Sequence, residues 1–122
     1  MLEIIVNKDI SLYSAFKTQA TASFFVEVTN ESQISELFEI YSDFKKRKLP
    51  ILILGAGTNC LFAFNNYPWL VVSLKLFWVK EIDSKVFWIW ASELVSPLSI
   101  NFTKNVISNA LTPWIGLPGT IA

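Results

Sequence analysis

A chain of 122 residues amounts to one domain, since domains hold on the order of 100–200 residues, so neither a multidomain enzyme nor a repeat array fits. Hydrophobic residues make up 52% and charged ones 16%, with ten basic against ten acidic side chains, which excludes intrinsic disorder and argues against a nucleic-acid platform. Short chains bury a smaller share of their surface than long ones, so a mean hydropathy of +0.44 predicts apolar surface covered by a partner chain, a membrane or further residues of the same chain.

A membrane span is the first of these to fall. The longest uncharged stretch, Leu49 to Leu74, is cut by Pro50, Gly55, Gly57, Asn59, Asn65, Asn66 and Pro68, so it cannot form the roughly 20-residue apolar helix that crosses a bilayer. Glu3, Lys8 and Asp9 near the start, with no basic flank leading into an apolar run, leave no signal peptide to read; a cytoplasmic setting is expected. Cys60 stands alone and histidine is absent, which removes a disulfide framework, the usual zinc ligands and His-based acid/base catalysis; no metal site is expected.

Met1 to Val6 reads as a short strand, and Phe24-Phe25-Val26-Glu27-Val28 as a second, rich in aromatic and β-branched residues. Asn30 followed by Gln33 forms a capping-box pair, opening a helix with one apolar stripe of Ile34, Leu37, Phe38, Tyr41 and Phe44. The basic run Lys45 to Lys48 falls at the end of that helix, where positive charge complements the dipole, so it is read as helix-end electrostatics. After Pro50, Ile51-Leu52-Ile53-Leu54 has the continuous apolar pattern of a strand buried on both faces. Strand, helix and strand make a βαβ-like unit in which 24–28 and 51–54 are expected to be parallel neighbours. Trp69 to Leu74 reads as another strand, and residues 76–82 with 85–91 as a hairpin about Asp83-Ser84 that wants cover on two faces. Ser96 as N-cap and Pro97 at the first position start a last helix with the apolar row Leu98, Phe102, Val106 and Ala110, ending by Pro113. The fold class is therefore α+β: a βαβ-like unit, then a mainly antiparallel strand region and a helix.

Gly55-Ala56-Gly57-Thr58-Asn59 follows the third strand. Two glycines and two small polar residues leave backbone N–H groups open to a phosphate. A Rossmann fingerprint would need a third glycine where Cys60 stands and an acidic residue about 20 positions on, and a Walker A loop would need a Gly-Lys-Ser/Thr ending; neither is present. A tight turn leaving a core strand, with glycine supplying positive φ, is the competing structural explanation.

Leu54-Gly55-Ala56-Gly57-Thr58-Asn59-Cys60-Leu61-Phe62 resembles the Leu-Gly-x-Gly-Ser-Asn-x-Leu-Phe segment of the UDP-N-acetylenolpyruvoylglucosamine reductase (MurB) family, and Gly116-Leu117-Pro118-Gly119-Thr120-Ile121 resembles its Gly-Ile-Pro-Gly-Thr-Val. Phe16, Ala22 and 24–28 are similar to the family's opening Asn-Thr-Phe segment and following strand, so the resemblance covers roughly residues 10–122. Departures accompany it: Ser14-Ala15 stands for Asn-Thr, Thr58 for serine, Ala91-Ser92-Glu93 for an Ala-Gly-Glu turn, and the approach from Leu111 to Gly116 is shorter.

The resemblance implies the N-terminal part of a PCMH-type FAD-binding domain over 1–122, with the substrate-binding domain absent. It further implies an oxidoreductase of peptidoglycan precursor synthesis and cell-wall formation, with FAD as cofactor and NADPH as co-substrate. The cofactor-binding positions carried over are Gly55, Ala56, Gly57, Thr58 and Asn59, then Leu117, Pro118, Gly119 and Thr120. The family's arginine, serine proton donor and glutamate have no matching position, so no catalytic residue is assigned and inactivity alone is expected. A C-terminal portion or partner chain is expected over the apolar tail 114–122 and the aromatics of 76–91. Two other readings stay open: a truncated or decayed remnant that holds no flavin, and a subunit of another FAD-dependent oxidoreductase. Gly57→Val is expected to abolish flavin binding with the fold largely intact.

Overall fold

The computed structural model describes residues 1–84, 86–105 and 109–121, and the chain divides into two units, Met1–Lys75 and Leu76–Ala122. The first is built on a four-stranded sheet of order β1-β2-β4-β3, with β1 at Ile5–Asp9, β2 at Thr21–Val28, β3 at Ile51–Leu54 and β4 at Asn66–Leu74. β1 runs antiparallel to β2, whereas β2 and β3 both run parallel to β4. The strands 24–28 and 51–54 are thus parallel but not neighbours, because β4 lies between them. Its Leu70, Val71 and Val72 are buried, and taking the centre of the sheet covers both of their faces. The strand after the glycine loop is accordingly parallel, and the antiparallel pairing beyond it lies in the later hairpin and in an isolated bridge between Leu94 and Thr120.

Position also explains why β3 is not buried on both faces as its pattern predicts. It pairs only with β4, and at this edge Ile53 is 58% exposed while Leu54 is buried. The N-terminal strand falls at Ile5–Asp9 rather than 1–6, with Leu2 buried and its N–H donating to Glu36 Oε2 at 2.6 Å.

Helix α1, Ile34–Lys46, is entered through a 3-10 turn at Glu31–Gln33. The capping box forms as read: the Asn30 side chain accepts from Ser32 N, and Gln33 Oε1 accepts from Asn30 N at 3.0 Å. Phe44 is buried with its ring 5.6 Å from that of Phe24, but Phe38 on the same stripe is 68% exposed. The other sheet face is closed by chain that crosses it outside regular elements. Ile10, Ala20, Ala22, Phe25, Leu54, Phe62 and Val71 form a buried cluster there, with Tyr13, Leu52, Cys60 and Tyr67 packed against it.

In the second unit β5, Val79–Asp83, and β6, Val86–Ile89, make the expected antiparallel hairpin, shorter than read. Every residue of β5 is exposed, and Trp88 is 64% exposed. Helix α2, Val95–Asn105, buries Leu98, Ser99 and Phe102, and Phe102 packs its ring 4.7 Å from that of Phe87. The helix begins at Val95, one residue before the expected cap, and Ser96 Oγ instead accepts from Gly116 N at 2.8 Å. Of the predicted apolar row, Val106 lies outside the described residues, and Ala110 is exposed in a 3-10 turn, Asn109–Trp114.

Candidate functional site

The glycine loop leaves β3 at its carboxyl end, which is also the end at which β2 and β4 finish, because the three run parallel. The crevice outside the carboxyl ends of parallel strands is where open α/β sheets take ligands. Here it is a cleft of about 520 Å³ lined by Lys8, Asp9, Leu12, Tyr13, Gly55, Ala56 and Lys75.

The loop is tied down from outside the sheet by the segment that follows β1. Ala15 N donates to Gly57 O at 3.0 Å, Ser14 Oγ donates to Cys60 O, and Phe16 N donates back to Ser14 Oγ at 3.2 Å. Gly57 has φ +67, and a Cβ built on it would stand 1.8 Å from Tyr13 O. Both facts demand glycine, so Gly57→Val would displace the loop and its strap rather than test binding on an intact fold; that expectation is corrected. Among the described residues the N–H groups of Ala56, Thr58 and Asn59 have no hydrogen-bond acceptor, and the three side chains are exposed. The loop can thus present donors to an anion without unmaking its own structure.

Two groups in the cleft have altered acidity. The Tyr13 hydroxyl is raised, first by burial and then by the charge of Glu27, to whose Oε2 it donates at 3.1 Å. Asp9 is held below the ordinary carboxylate range because its Oδ1 accepts from Ser11 Oγ at 2.6 Å and from Ser11 N at 2.9 Å. Cys60 is a half-buried free thiol packed against the core.

Of the predicted positions, Gly55 and Ala56 line the cleft, Gly57 braces the loop, and Thr58 and Asn59 project to solvent beyond it. Leu117, Pro118, Gly119 and Thr120 belong to the second unit. There Gly119 O accepts from Val95 N at 3.1 Å, Thr120 bridges Leu94, and Ile121 N donates to Glu93 O at 2.9 Å, which pins this loop to the start of α2. Lys8, Tyr13 and Lys75 were not anticipated as cleft residues. No motif marks them; the sheet register brings them to the glycine loop.

No protein-family model matches the sequence. Over 112 residues the chain is 33% identical to the UDP-N-acetylenolpyruvoylglucosamine reductase of Chlamydia trachomatis serovar D, a match covering 92% of this chain and 37% of that protein. The chain is thus similar, over nearly all of its own length, to UDP-N-acetylenolpyruvoylglucosamine reductases. The reductase of the same name from Aliivibrio fischeri is 32% identical over 85 residues, covering 68% of this chain and 23% of that one. The crystal structure of MurB from Thermus caldophilus matches with a TM-score of 0.67 at 20% sequence identity, covering 99% of this chain and 40% of that chain. That likeness shows the fold: this is the N-terminal portion of the MurB architecture. The chain therefore spans well under half the length of the MurB proteins it matches.

Proposed function

We propose that this chain is the flavin-holding portion of a MurB-type reductase, residues 1–122 forming part of a PCMH-type FAD-binding domain that works in the cytoplasm on peptidoglycan precursors. The observation that carries the reading is the glycine loop at the shared carboxyl ends of β2, β3 and β4, with the N–H groups of Ala56, Thr58 and Asn59 lacking an acceptor. Those groups fit the diphosphate of FAD, for which a loop of outward N–H groups and small side chains is a suitable cradle.

Gly55 and Ala56 allow the ligand close to the backbone, the Thr58 hydroxyl and Asn59 amide add donors, and Gly57 holds the loop against Tyr13. Leu117, Pro118, Gly119 and Thr120 are the second contact region of the proposal, held in shape by their bonds to the start of α2. FAD, when bound, supplies the two-electron carrier between NADPH and an enolpyruvyl double bond; the protein's share is orientation and electrostatics. Reduction of that bond also needs a placed proton donor and stabilisation of charge at the carboxylate end. No residue of this chain is assigned to either task, so the chain alone is expected to reduce no substrate.

Titration of the purified chain with FAD, followed by flavin fluorescence, tests the proposal. Saturable binding is expected, weakened by Asn59→Asp, which sets a like charge beside the diphosphate. A chain that stays colourless and takes up no FAD would support the non-binding remnant instead.

A further inference from the structure

Lys8 and Lys75 reach the same cleft from near opposite ends of the first unit. Lys75 follows β4, and its N–H donates to Val28 O at 2.8 Å, which extends the ladder between β2 and β4 by one residue. Side chains alternate along a strand, so Lys75 shares the face of Val71 and Ser73, the face of the buried cluster and of the strap. Lys8 stands opposite Ala22, a member of that cluster. Lys75 Nζ lies 5.8 Å over the Tyr13 ring, a cation–π contact at the cleft wall.

Neither ammonium has a carboxylate partner in an ion pair among the described residues; the pairs found there are Met1 with Glu36 and Arg47 with Asp43. The carboxylate in the cleft, Asp9, is engaged through Oδ1 by both donors of Ser11 and feels the charge of Lys8 without forming an ion pair with it. Two cations, neither in an ion pair among the described residues, thus line a concave space of about 520 Å³ together with Ala56, whose N–H has no acceptor among those residues. Charge-assisted bonds to an anion are the strong ones, and concave walls focus the field that attracts it.

We propose that Lys8 and Lys75 are specificity residues for a diphosphate, selecting phosphorylated over unphosphorylated ligands at the end of the sheet. This deepens the flavin reading, on which it rests for the identity of the diphosphate's owner. The test titrates the full 122-residue chain calorimetrically with ADP, adenosine and FAD at low and moderate salt. ADP binds at least about tenfold more tightly than adenosine, and Lys75→Gln and Lys8→Gln each lower ADP affinity about five- to tenfold with a shallower salt dependence. Lys75→Arg keeps the affinity, and the double Gln variant no longer separates ADP from adenosine. Equal binding of ADP and adenosine, or ADP affinity unchanged in the double variant, overturns the proposal. FAD bound equally by wild type and double variant would overturn the lysine role and leave the flavin reading standing. Lysine-dependent ADP binding without FAD binding would do the reverse.

Discussion

The two glycine loops carry similar small-residue sequences and are held in different ways. Gly55–Asn59 is strapped by a remote segment: Ser14 and Ala15 bond to it, and Tyr13 O sits where a side chain on Gly57 would have to go. Gly116–Thr120 is held by the helix start beside it, through Val95, Leu94 and Ser96. A Cβ on Gly116 would meet nothing within 4 Å, although its φ of +90 still favours glycine. Gly57 is required by packing and conformation together, whereas Gly116 is required by conformation alone. Both loops are held by segments distant in sequence, but only at Gly57 does the holding segment also occupy the place of a side chain.

The sharpest way to break the comparison is to add one methyl group to each. Gly57→Ala should destabilise by about 3 kcal/mol, combining overpacking against backbone with a left-handed φ, read as a lowered denaturation midpoint. A loss under about 1 kcal/mol would mean the strap yields freely. Ser14→Ala comes next. It strips the partner from Cys60 O and Phe16 N at a buried site and should cost about 2 kcal/mol. Gly116→Ala should cost only about 1 kcal/mol, since strain acts there without a clash.

The smallest effect is electrostatic. Tyr13's folded-state acidity is weakened by burial and by Glu27. A raised folded value means stability fully present below the unfolded value near 10.0 and lost as pH rises through the folded one. Tyr13→Phe should therefore flatten the alkaline fall in stability, with Tyr67, raised by burial, keeping its share of it. Equal slopes for variant and wild type would deny Tyr13 that role.

What could be read from the amino acids follows the range of the interaction. The capping box of Asn30 and Gln33 is local chemistry, and it formed as read. The hairpin about Asp83-Ser84 also formed, with shorter strands than read, and there Ser84 N donates to Asp83 Oδ1 at 2.7 Å. The insertion of β4 between β2 and β3 was not legible, because a run such as Ile51–Leu54 carries the same apolar pattern at an edge as in the centre. Gly57 could be singled out as a turn glycine, but its contact with Tyr13 depends on a crossing that no local spacing encodes. The same holds for Lys8 and Lys75, which read as ordinary surface lysines until the register places them together. Of the hairpin aromatics expected to want cover, Trp88 is exposed, whereas Trp78, Phe87 and Trp90 are half-buried, Trp78 packing against both Trp88 and Trp90. We propose the remaining length of a MurB-type protein, as the same chain or a separate one, as their partner.

The central claim is that these residues hold a flavin, and the most direct measurement is the visible absorption of the purified chain before and after reconstitution with FAD. A flavin band that survives desalting is expected, diminished in Asn59→Asp and in the double Gln variant of Lys8 and Lys75. A folded chain that shows no band after reconstitution would contradict it.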